Sequence, residues 1–78
     1  MIDGFINVQT RRGSYRQPYS FQSTPSLLDR MTVDVGGQTD VLVIVVAVEP
    51  VFKAGEAHPS LNVTCEEQEF HRDRRRYG

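Results

Sequence analysis

From Phe5 to Thr10 the chain alternates, with Ile6, Val8 and Thr10 on one side and Phe5, Asn7 and Gln9 on the other. That period of two predicts a short strand with Ile6 and Val8 turned inward. Met31, Val33 and Val35 alternate with Thr32 and Asp34 in the same way, as do Leu61, Val63 and Cys65 with Asn62, Thr64 and Glu66 in a strand that can run on to Phe70. Between Val41 and Val48 the alternation stops, leaving eight successive apolar residues, five of them Val and one Ile. Branched side chains suit the pleat, and an unbroken apolar run predicts a strand covered on both faces.

The punctuation between these segments sets their connections. Gly36-Gly37, followed by Gln38-Thr39, supplies the positive-φ residues of a hairpin, so Met31–Val35 should pair antiparallel with Val41–Val48. Pro50 is expected to end the central strand, and Glu49 to Ser60, with Gly55 and Pro59, reads as a loop. Arg11 to Ser26, RRGSYRQPYSFQSTPS, reads as having neither a helical nor a strand period and predicts a long loop or extended arm whose aromatics dock on something. Ser26 to Arg30 can make one helical turn capped by Ser26, with Leu27 and Leu28 reaching the core. His71 to Gly78 is too charged for a core and reads as a basic tail. The sum is one all-β domain over residues 1–78, a small antiparallel barrel or sandwich made from a four-strand meander. Residues 11–26 form its N-terminal loop or arm and 71–78 its basic C-terminal tail.

A chain of 78 residues buries only about 60% of the surface its unfolded form exposes. It therefore has little material with which to cover both faces of the valine run. Small domains gain stability from disulfides, a metal or oligomerisation. Cys65 is the single cysteine, so no internal disulfide can form, and the expected setting is reducing. The N-terminal stretch lacks a basic region followed by an apolar one, and the longest apolar run is far below the roughly 20 residues that span a bilayer. No secretory signal and no membrane contact are expected, and assembly becomes the expected source of stability.

The net charge of -1 is unevenly distributed. Residues 1–30 carry +2, residues 31–70 carry -6 and the last eight carry +3. Eight of the nine basic residues are Arg, whose planar fork pairs with carboxylate or phosphate at interfaces. No catalytic motif stands out: there is no nucleophile elbow, phosphate loop or metal-binding helix. Glu66 and Glu67 are neighbours on a strand and point to opposite faces, so they cannot share a proton. Cys65, Glu66, Glu67, His58 and His71 lack the spacing of a structural metal site. No enzyme activity, cofactor or metal is expected.

Two classes of contact fit the charges better. Arg11, Arg12 and Arg16 interleave with Tyr15 and Tyr19, the mixture that single-strand binders use, and Arg72, Arg74, Arg75 and Arg76 form a second cluster, so proximity to DNA is one reading. Protein contact is the stronger one, because the acidic middle would repel a polyanion. In that reading the Arg tail of one copy meets Glu66, Glu67 and Glu69, or Asp34 and Asp40, of the next, while Tyr15, Tyr19 and Phe21 anchor by burial.

The order of these segments resembles the head-closure, or head–tail joining, proteins of tailed phages. The resemblance rests on Ile6-Asn7-Val8-Gln9-Thr10-Arg11-Arg12 before a long loop, on Val43-Ile44-Val45-Val46, and on Leu61-Asn62-Val63-Thr64-Cys65-Glu66-Glu67. It implies a small β-barrel in a ring between portal and tail, with a loop toward the DNA channel. The expected function is a non-enzymatic structural subunit of a phage virion, made in the host cytoplasm. Its expected partners are its own copies and portal, tail or capsid proteins. A capsid cement or decoration protein, and a small host-directed binding or inhibitory protein, are the alternatives.

Overall fold

The computed structural model describes the backbone of residues 2–52, 54–55 and 59–77, with side chains described through Arg72. Among the described residues five strands and one helix follow each other: β1 Ile2–Thr10, β2 Gly13–Phe21, β3 Arg30–Val35, β4 Gln38–Val51, β5 Ser60–Glu67 and α1 Gln68–Tyr77. The strands form one curled, mixed sheet, a half-barrel, in the order β2-β1-β5-β4-β3. The protein is all-β apart from its terminal helix.

Two expectations about topology are corrected. Residues 13–21 are not an arm: they form β2, antiparallel to β1 from Ile2↔Phe21 to Thr10↔Gly13. The sheet is not wholly antiparallel either, because β1 runs parallel to β5 from Gly4↔Leu61 to Gln9↔Glu66. These two strands lie so close that a Cβ at Gly4 would run into the backbone carbonyl of Leu61. Glycine is what lets them approach.

The predicted hairpin is present. Val35 faces Gln38 across Gly36 and Gly37, whose φ values of 58° and 79° give the two-residue turn that matches strand twist. The register slips between Val33 and Val35, and the extra residue on β4 is accommodated by Asp40, at φ 53°, whose N–H donates to Oδ1 of Asp34 at 2.9 Å.

A second bulge lies in β4 between Val45 and Ala47. It reverses which positions face inward, so Val41, Val43 and Val45 point into the curl before it and Val48 does so after it, while Ala47, Glu49 and Val51 join Leu42 and Ile44 outside. β4 also runs on past Pro50 to Val51, where the sequence predicted an end. Beyond Val45 no described residue pairs with β4 on its β3 side. An edge strand tolerates proline, since half of its N–H groups face away from its neighbour.

The core fills the inside of the curl. Ile6, Val8, Val43, Val45, Val63 and Cys65 are fully buried, with Phe21, Val33, Val35, Val41 and Leu61 around them. Burying each such side chain contributes about 1.5–3 kcal/mol. The valine run is therefore covered on its inner face by the chain itself. Its outer face is covered in part, with Ile44 9% exposed and Leu42 39% exposed.

The two open edges of the half-barrel, β2 and β3, meet through side chains. Nε2 of Gln17 donates to the carbonyl of Asp34 at 2.9 Å, and the ring of Tyr15 lies against Gly36, so close that a Cβ there would sit 2.6 Å from the ring.

The expected basic tail is instead α1, spanning Gln68–Tyr77. A run of charges keeps a segment out of a core but does not set its conformation. Gln, Glu and Arg are good helix formers, and the acidic Glu69 in the first turn with arginines later complements the helix dipole. The helix packs on β4 and β5 and covers part of the outer face.

Candidate functional site

The start of α1 is the most strongly built polar feature on the outer face. Glu66, at the end of β5 and opposite Ile44 on β4, is 1% exposed. Its Oε1 lies 2.8 Å from Nδ1 of His71. With Glu66 as the carboxylate it accepts, and Nδ1 of the imidazole is then the donor. This bond ties the helix to the sheet one turn after β5 ends.

Two clefts flank that helical turn. One, of about 440 Å³, is lined by Leu28, Arg30, Ile44, Gln68, His71 and Arg72. It has an apolar wall, two guanidinium groups and an imidazole, and no carboxylate. The other, of about 430 Å³, includes Asp40, Leu42, Glu67, Glu69 and Arg72, and is acidic. Gln68 and Arg72 border both. Oε1 of Gln68 is buried with no hydrogen-bond partner among the described residues.

The wall of the basic cleft is held in an unusual backbone conformation. Leu28 has φ 70°, a left-handed value that costs a non-glycine residue roughly 1–2 kcal/mol. It is pinned there because its N–H donates to the carbonyl of Val45 at 2.7 Å and the N–H of Val45 donates to the carbonyl of Asp29 at 2.8 Å. Oδ2 of Asp29 accepts from the N–H of Ser26 at 2.8 Å, closing the turn. The result is a tight loop that presents Leu27 and Leu28, 63% and 64% exposed, to solvent. Sequence reasoning read Ser26–Arg30 as a helical turn with both leucines reaching the core. Two apolar residues in succession inside a polar loop were the available clue, and they point outward.

The arginines and aromatics singled out by sequence are scattered. Phe21 is 3% exposed and belongs to the core, against Tyr19 at a ring separation of 4.8 Å. Tyr15 and Tyr19 are half-buried on the same inner face of β2, so these three aromatics contribute to the chain's own packing from a strand and not from a free arm. Arg16 lies on the outer face, stacked over the Phe5 ring at 4.5 Å and bonded to Oδ1 of Asn7 at 3.0 Å and of Asn62 at 3.3 Å. Arg12 is exposed in the β1–β2 turn, its N–H held by Oγ1 of Thr10 at 3.0 Å.

Arg11 meets within its own chain the carboxylates that the sequence reading assigned to a neighbour. Its N–H donates to Oε1 of Glu67 at 3.5 Å, and its guanidinium lies 3.6 Å from Oε2 of Glu69. Glu66, expected to meet a neighbouring copy's Arg tail, is buried under His71 instead. Arg74, Arg75 and Arg76 lie in α1, with side chains outside the described residues.

Cys65 is buried in the core, and burial pushes its thiol up to about 11. A neutral, enclosed thiol is a packing group. Among the described residues no group of three or more His, Cys, Asp or Glu could hold a metal ion, and no helix is long and apolar enough to cross a membrane. His58, weighed as a ligand from sequence, lies outside the described residues. Comparison with protein-family models, curated proteins and solved structures returns no match.

Proposed function

We propose that this chain is a non-enzymatic structural subunit that assembles with its own copies, and that its setting is a phage particle, as a head-closure or head–tail joining component. The observation that carries the assembly reading is the outward display of large apolar side chains on hydrogen-bonded backbone. Leu27 and Leu28 are held out by a pinned turn, and Phe52, just past β4, is 76% exposed. Large apolar side chains held in water beside charges of one sign fit a contact surface, as Leu28 does beside Arg30 and Arg72. The oppositely charged clefts on either side of α1 add complementarity between copies.

The phage setting is supported by the order of segments in the sequence, from Ile6-Asn7-Val8-Gln9-Thr10-Arg11-Arg12 to the β5 residues Leu61–Glu67. Quantitative mass spectrometry of purified particles tests it. A few copies per particle is the result expected of a ring on the neck axis. Many copies would replace that reading with a cement protein of the shell, and absence from particles would overturn the virion setting in favour of a host-directed binder.

A further inference from the structure

The basic cleft and the end of β4, where the β4–β5 hairpin turns, are complementary in polarity and in charge. The tip offers Phe52, 76% exposed, and Val51, 39% exposed. Glu49 is exposed on the same outer face as Val51, since they stand opposite Asn62 and Ser60 in alternate positions of the ladder. The cleft offers Leu28 and Ile44 as an apolar wall, with Arg30, His71 and Arg72 around it. Phe52 lacks a buried place in its own chain, and the cleft lacks an anion.

The two cannot meet within one molecule. The turn that forms the cleft wall is bonded to β4 at Val45, while the tip begins at Val51 of the same strand. Six residues of strand separate them by about 20 Å at roughly 3.3 Å per residue. The occupant must therefore come from another molecule, and a second copy of this chain carries the matching surface.

We infer that the β4–β5 hairpin tip of one copy docks in the Leu28–Arg72 cleft of the next, with Phe52 against Leu28 and Ile44, and Glu49 against Arg30 and Arg72. This names the contact behind the assembly reading and rests on it. Tip and cleft are different surfaces, so the contact is head-to-tail and propagates into a closed ring or an open filament. The pinned Leu28 presets the cleft wall, so little ordering is needed on docking.

The test uses full-length chains carrying single substitutions, Phe52→Cys and Leu28→Cys, oxidised separately and mixed. The native thiol is buried, so its background is low. The expected result is a covalent dimer in the mixture that forms neither with each variant alone nor when Phe52→Cys is mixed with Ser14→Cys on β2. Charge reversal gives a second readout: Glu49→Arg weakens association at least tenfold, and combining it with Arg30→Glu restores it. If the protein assembles but the 28–52 pair does not cross-link above the Ser14 control, this contact is wrong and assembly through another surface stands. If every sample has the mass of one chain at all concentrations, the assembly reading falls with it.

Discussion

Replacing Gly4 with Ala is the sharpest probe of the fold, because it acts where β1 and β5 run parallel. A Cβ at Gly4 would meet the Leu61 carbonyl oxygen head-on and would lie 2.9 Å from both the carbonyl carbon and the nitrogen of Leu61. The obstacle is backbone on a central strand, flanked by β4 on its other side, so it cannot swing away as a side chain could. Overpacking of this kind costs about 1–3 kcal/mol, and a rigid obstacle puts it near the upper end. A chain of this size has a total stability of roughly 4–12 kcal/mol, and each kcal/mol shifts the melting temperature by about 4–8 °C. Gly4→Ala should therefore lower Tm by roughly 10–25 °C. Gly37→Ala is the control, because Gly37 has φ 79° and open space around it, and should cost only about 1–2 kcal/mol of backbone strain. Urea denaturation followed by circular dichroism measures both. If Gly4→Ala unfolds within about 0.5 kcal/mol of the unmodified chain, beneath the overpacking range, β1 and β5 are not neighbours and the topology is wrong.

Three further outcomes follow from the same structure. His71→Ala removes a hydrogen bond from the buried Glu66 carboxylate and should cost about 1–3 kcal/mol in urea denaturation; an unchanged midpoint would mean that α1 is not anchored there. Cys65 should resist alkylation in the native state and react on unfolding. Relative to Cys65→Ala, the unmodified chain should lose stability as pH rises from 9 to 11, because the unfolded thiol ionises from its ordinary 9.0 while the folded one stays neutral up to about 11. A parallel pH profile for the two proteins would place the thiol in water. Leu28→Gly relieves the left-handed strain, so the monomer should melt at the same temperature or higher, by up to about 1 kcal/mol, while self-association weakens. A destabilised monomer would show that Leu28 serves the fold and not a contact.

What could be read from the chain beforehand was the locally encoded part. Val41–Val45 declared a buried strand, Gly36-Gly37 declared its turn, and Ile6 with Val8, and Leu61 with Val63 and Cys65, declared their inward faces. β2 was missed although Tyr15, Gln17, Tyr19 and Phe21 recur with a period of two, because Gln17 dilutes the apolar side and Pro18 argues against a strand. An edge strand accepts both. The parallel pairing of β1 with β5 is a contact between distant residues, for which neighbouring segments leave no local trace; the meander expectation followed the usual adjacency of consecutive strands. α1 was hidden by its arginines, since a charged run reads as solvated whether or not it is helical. At the surface, charge counting found Arg11, Glu67 and Glu69 but not that they meet within one chain. It passed over Leu27, Leu28 and Phe52, whose significance depends on exposure and is not written in residue type.

On the proposed reading, this chain contacts further copies of itself. Sedimentation velocity of the purified protein over a wide concentration range, at 0.1 M and 1 M salt, tests it directly. The mass should rise with concentration from 8.9 kDa to a defined multiple. Association should weaken at high salt, where the screening length falls from about 10 Å to about 3 Å. A single species of one-chain mass at every concentration and both salt levels would contradict it.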